Sequence, residues 1–148
     1  MDRKKIIDTC TSIIQSKIDG VQEQLSELRK SAESESKSTS GDKHETGRAM
    51  IHLEQEQLMK QLGELNNQMS QIIELKNSES KPNIHSGSIV HTNLGVFFFG
   101  VALGKVQLED TAIMVISLAS PLGKLFLGKT KDDTITFGTS TYSILQVD

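Results

Sequence analysis

Residues 6–32 read IIDTCTSIIQSKIDGVQEQLSELRKSA, and residues 51–75 read IHLEQEQLMKQLGELNNQMSQIIEL. In the first stretch Ile7, Cys10, Ile14, Ile18, Val21, Leu25, Leu28 and Ala32 follow alternating spacings of three and four. That spacing puts them on a single stripe of a helix. In the second, Ile51, Leu58, Leu62, Leu65, Met69, Ile72 and Leu75 make a matching stripe, with a missing step at Glu54 or Gln55. The opposite faces are Lys, Glu, Gln and Ser, so neither stripe is wide enough for a globular core and each needs a partner. The run between them, ESESKSTSGDK over residues 33–43, is polar and Ser-rich. The pattern predicts an antiparallel coiled-coil hairpin over 1–76 with its tip at about 33–45. Arms of roughly 30 residues make a rod on the order of 45 Å long. An intermolecular coiled coil that dimerises the chain is the alternative; short connections favour antiparallel neighbours, and therefore a monomer.

The rest of the chain has different physics. All six aromatic residues, Phe97, Phe98, Phe99, Phe126, Phe137 and Tyr142, and both prolines, Pro82 and Pro121, lie in the second half. Residues 1–80 carry 11 Lys/Arg against 14 Asp/Glu, whereas 81–148 carry 5 of each. Asn, Ser, Lys, Pro and Gly gather over 77–88, which predicts a linker at 77–87 and a separate module over 88–148. Ser88 to His91, Gly95 to Val101, Thr111 to Leu118, Thr134 to Phe137 and Tyr142 to Val147 read as strands. A short helix fits Ser120 to Gly128, with Ser120 as cap, Pro121 at the first helical position and Gly128 left-handed at the end. Asp132-Asp133 makes a tight polar connection. The fold class expected is α+β: the hairpin, then a small antiparallel β-sheet with one short helix against it.

Composition excludes several functions. With 148 residues and a formal net charge of −3, the chain is neither a nucleic-acid-coating basic protein nor wholly disordered. One cysteine leaves no disulfide framework and no multi-cysteine zinc site. The longest apolar run, Leu94 to Leu103, is about half a membrane span. Asp8, Thr9 and Thr11 break the stretch after Arg3, Lys4 and Lys5, so no export signal is expected and a cytoplasmic location is the default.

Hydrolase elbows, phosphate loops and His-Glu-x-x-His are absent. Ser120 before a proline is a helix cap rather than a nucleophile. Cys10 lies on the apolar stripe as a small hydrophobe. His44, His52, His85 and His91 have no ligand spacing and read as surface or packing residues. The pair that carries chemistry is Asp42 and Glu45, in Asp42-Lys43-His44-Glu45. Taken alone it is a capping-box pattern at a helix start. The same i, i+3 spacing also points two carboxylates from one face, enough to hold one hard cation. Mg²⁺ takes only one or two protein carboxylates and leaves its other positions to water or phosphate oxygens. Delivered to another protein's active site, such a pair could supply the second ion of a two-metal phosphodiester reaction.

Gly41-Asp42-Lys43-His44-Glu45-Thr46 resembles the Gly-Asp-x-x-Glu-Asn tip of the Gre transcript-cleavage factors of bacterial RNA polymerase. The stretch from Ile116 to Lys129, ISLASPLGKLFLGK, resembles that family's carboxy-terminal Ile-Ser-x-x-Ser-Pro…Gly-Lys run. Lys131 to Thr134 and Tyr142 to Val147 continue it. Thr46, Ala49 and Leu53 stand where the family has Asn, Tyr and Arg, and the region from Ser88 to Asp110 matches it poorly.

The resemblance implies an FKBP-like carboxy-terminal domain that docks at the rim of the polymerase secondary channel. It further implies that the hairpin enters that channel, with Asp42 and Glu45 helping to hold a Mg²⁺ beside the polymerase's own ion while the polymerase cleaves the 3′ end of backtracked RNA. The chain would be an accessory factor, not an enzyme, and would hold Mg²⁺ only jointly with the polymerase. Docking would involve Ser117, Ser120, Pro121, Leu122 and Gly123. A channel-binding regulator without cleavage and a homodimeric coiled coil with a peptide-binding β module are the rival expectations.

Overall fold

The computed structural model describes residues 1–36 and 41–148, with side chains described for 1–34 and 45–148. It is α+β: two long helices, α1 (Arg3–Ser36) and α2 (Gly41–Glu74), precede a six-stranded mixed sheet and a short helix. Each long helix has 34 residues, about 51 Å at 1.5 Å per residue. The turn expected within Glu33 to Lys43 falls partly on residues 37–40, which lie outside the described residues.

The predicted stripes are the faces that become covered. Ile7, Cys10, Ile14, Ile18 and Val21 are buried, and Leu25, Leu28 and Ala32 half-buried. On α2, Leu65 and Ile72 are buried, and Ile51, Leu58, Leu62 and Met69 half-buried, as is Leu75 just beyond its end. The missing step is filled by half-buried Gln55, while Glu54 is exposed. Two compact units result, one of Ile13–Met69 and one of Met1–Ser12 with Ser70–Asp148. Among the described residues the Ile13–Met69 unit holds only parts of the two helices, so the stripe residues within it cover each other within one chain. The helices run antiparallel: Arg3, at the start of α1, donates to Ser78 O beyond the end of α2, and Asp8 lies 3.9 Å from Lys76.

The sheet comprises β1 (Ile89–Thr92), β2 (Gly95–Phe99), β3 (Gly104–Leu108), β4 (Thr111–Ile116), β5 (Thr134–Phe137) and β6 (Ser140–Val147), in spatial order β3-β4-β2-β1-β6-β5. Two expectations are corrected here. The sheet is mixed rather than antiparallel, because β4 runs parallel to β2, with Phe97 opposite Met114. The cause is β3, a strand the sequence did not disclose. It lies outside β4 and reverses the chain once more before β4 is laid beside β2.

Both faces of the sheet centre are covered, which explains three consecutive buried phenylalanines. Phe97 and Phe99 join Phe126, Ile84, Val90, Ile135 and Ile144 in one cluster. Phe98 points the other way, as strand alternation requires. On that side Ile72 of α2 and Leu75, in the short 3-10 turn that follows it, close over Gly100 beside the Phe98 ring. The third helix, α3 (Pro121–Phe126), lies over the first face and inserts Phe126 at its last residue. The segment 77–87 is ordered into this unit. Its Ile84 is 1% exposed and exchanges backbone hydrogen bonds with Gly128 and Lys129.

Candidate functional site

The acid pair falls at the start of α2. Asp42 and Glu45 both lie in the first five residues of the helix, where i and i+3 share a face. Glu45 is exposed; the Asp42 side chain lies outside the described residues. An exposed carboxylate on a helix start, with a second three residues earlier, is the donor set Mg²⁺ accepts when other ligands come from elsewhere. Among the described residues, no group of three or more His, Cys, Asp or Glu is placed to hold a metal ion. Two carboxylates leave most of an octahedral shell open, so any firm cation site needs oxygens from another molecule.

The surroundings of the pair are less polar than the tip itself. Thr46, Arg48 and Ala49 are exposed. Met50 and Leu53 are 61% and 58% exposed, about one and two turns beyond Glu45 along α2. These large apolar side chains belong to the outward face, not the stripe that faces α1.

The second candidate region, Ser117 to Gly123, is a tightly built turn. Ser117 O accepts from both Ser120 N–H (3.1 Å) and Ser120 O–H (2.6 Å), while Ala119 N–H donates to Ser117 Oγ at 3.1 Å. Ser120 Oγ in turn accepts from Gly123 N–H at 3.1 Å, capping α3 as the Ser-Pro pair predicts. Pro121 is exposed, Ser117, Ser120 and Leu122 are half-buried, and Gly123 is buried. Gly128 ends the helix region with φ +80°, the expected left-handed glycine. Beyond the turn Lys124, Leu125, Leu127 and Lys129 are exposed, giving this edge a mixed basic and apolar surface. Removing the cap with Ser120→Ala should cost about 1 kcal/mol. Ser120→Thr should retain most of it, read as the shift in urea midpoint at constant slope.

Cys10 behaves as a packing group, His52 is exposed, His85 and His91 are half-buried, and the His44 side chain lies outside the described residues. Cys10 is fully buried, and burial pushes its thiol up to about 11, away from nucleophilic chemistry. A cleft of about 690 Å³, which the sequence did not disclose, opens beside the first turns of α1 and the β3–β4 turn. Its walls include Asp2, Lys5, Asp8, His91, Glu109 and Asp110, and a Lys5–Glu109 pair at 3.3 Å is exposed to solvent. None of the residues singled out in the sequence for chemistry or docking lines it. The signal that could have found it, acids at both ends of separate elements, has meaning only once β3 is known.

No protein-family model matches the chain, and no curated protein matches it. No described helix is long and apolar enough to cross a membrane.

Proposed function

We propose that this chain is a Gre-type accessory factor that binds bacterial RNA polymerase through its secondary channel and stimulates cleavage of backtracked RNA. In this proposal the sheet unit is an FKBP-like domain that docks through Ser117, Ser120, Pro121, Leu122 and Gly123. Asp42 and Glu45 help hold a Mg²⁺ whose remaining ligands come from the polymerase and the RNA 3′ end. The work would take place in the cytoplasm, with the factor acting as a monomer.

The observation that carries the proposal is the position of the acid pair. It opens the second of two antiparallel 34-residue helices. Helices that only fill a core do not need such length, whereas a probe that must reach does. The Ser120-capped turn adds support, because its hydrogen bonds use the Ser-Pro and Gly positions of the second motif. Chemically, the ion would polarise a phosphoryl oxygen or activate water. The chain's own part is to carry two carboxylates to that place.

The test is a stalled, backtracked elongation complex supplied with Mg²⁺. Wild type should speed release of the RNA 3′ fragment, and Asp42→Ala with Glu45→Ala should reduce that stimulation at least about tenfold, some 1.4 kcal/mol of lost transition-state stabilisation. The factor alone should hydrolyse nothing. Unchanged cleavage with wild type, or full stimulation by the double variant, overturns the proposal.

Exposed Ala49 and Leu53 favour a second reading, in which the factor occupies the channel without promoting cleavage. Polymerase binding without cleavage, together with altered promoter output, is its signature.

A further inference from the structure

The segment that joins α2 to β1 is cross-braced by one imidazole. His85 is half-buried. Its Nε2 lies 3.1 Å from the Glu79 carbonyl oxygen, and its Nδ1 lies 3.0 Å from the Asn83 carbonyl oxygen and 2.9 Å from Ser88 Oγ. Ser88 is fully buried, and its Oγ already accepts from His85 N–H at 2.9 Å. The ends of the loop are fixed by other bonds. Arg3 donates to Gly87 O (2.9 Å) and Ser78 O (3.1 Å), and Gly87 N–H donates to Phe99 O (2.7 Å). The ring therefore acts on the middle of the loop, around Asn83.

Carbonyl oxygens only accept, and a neutral imidazole has one N–H and one bare nitrogen. With the proton on Nε2, the ring donates to Glu79 O and bare Nδ1 accepts from the Ser88 hydroxyl, leaving Asn83 O against a lone pair. With the proton on Nδ1, Glu79 O meets the lone pair instead. Only the imidazolium donates to both carbonyls. We propose that His85 is a proton-operated brace: the charged ring ties the Glu79 and Asn83 carbonyls together, and loss of the Nδ1 proton turns that nitrogen to Ser88 and releases Asn83.

Histidine is the side chain that ordinarily changes charge between pH 5 and 8. Among the described residues, no charged side chain hydrogen-bonds to this ring. Glu79 and Lys81 lie on the loop, Lys76 just before it stands 3.9 Å from Asp8 of α1, Lys129 meets the loop through its backbone, and the Arg3 guanidinium is engaged by Ser78 O and Gly87 O. Asn83 directly precedes Ile84, whose N–H donates to Lys129 O at 2.8 Å and whose carbonyl accepts from Gly128 N–H at 2.9 Å. The brace thus reaches the backbone that follows α3. It is independent of any polymerase contact.

Isotope-labelled full-length protein titrated from pH 8 to pH 5 tests the proposal by NMR. The Asn83 carbonyl carbon should shift in step with protonation of His85 Nδ1, with one shared midpoint, while the Glu79 carbonyl shifts little. His85→Asn, whose side chain does not titrate, should leave the Asn83 signal flat over the same range. A flat Asn83 carbonyl in wild type while the ring titrates overturns the proposal, as does an equal shift in His85→Asn.

Discussion

Gly123→Ala should destabilise the sheet unit by about 2–4 kcal/mol, although alanine is the better helix former. In an open helix the exchange would stabilise by up to about 1 kcal/mol. Space reverses the sign. A Cβ on Gly123 would press into the carbonyl oxygen of Ser117 and stand 2.8 Å from Leu118 Cα. Both are backbone atoms, so no side chain can rotate away. Relief requires the 117–120 turn to retreat, and that movement stretches the two Ser120 bonds to Ser117 O and the cap from Gly123 N–H to Ser120 Oγ. The urea midpoint should fall at unchanged slope. A midpoint that rises would mean that the turn yields freely and helix propensity wins. Because the same turn is the proposed docking element, the variant should also lose polymerase binding at temperatures where it remains folded.

This glycine also shows what a sequence discloses and what it hides. Ser120, Pro121 and Gly128 announce themselves because cap, first-turn proline and left-handed glycine are local chemistry. Gly123 does not, since its φ is ordinary and its necessity comes from a neighbouring strand end folding onto it. The long helices were legible for the local reason: a stripe of spacing three and four needs no knowledge of the remaining chain. Even the gap at Glu54 or Gln55 was placed, and the structure resolves it to Gln55, whose longer uncharged side chain tolerates half-burial.

The mixed sheet was not legible. Gly104-Lys105-Val106-Gln107-Leu108 does alternate, with Val106 buried and Lys105 and Gln107 exposed. Its turn to β4, however, is Glu109-Asp110, with Glu109 at φ +44° in place of the Asn or Gly such two-residue turns favour. Without that turn signal the strand reads as loop, and without the strand the direction of β4 inverts. The acidic cleft and the His85 brace are hidden for a similar reason. Each joins residues that sit close only after the backbone has closed.

Phe126→Ala should cost about 3–5 kcal/mol, a large share of the roughly 5–15 kcal/mol that holds a typical domain together. The side chain is fully buried at the end of α3. Its ring centroid lies 5.1 Å from Phe97, 5.3 Å from Phe99 and 5.6 Å from Tyr142, the last in an edge-on arrangement. Truncation leaves a cavity bounded by three rings, and strands hydrogen-bonded on both sides of β2 cannot collapse inward to fill it. Relief by α3 is blocked as well, since the Ser120 cap and the Ile84 pairing with Gly128 and Lys129 pin both ends of that helix. The chain contains one tyrosine and no tryptophan, so its intrinsic fluorescence comes from Tyr142, inside this cluster. The urea midpoint followed by tyrosine fluorescence should therefore fall sharply. A fluorescence midpoint unchanged from wild type would mean that the three rings close over the gap, and that α3 is held by its backbone bonds rather than by the aromatic side chain it buries.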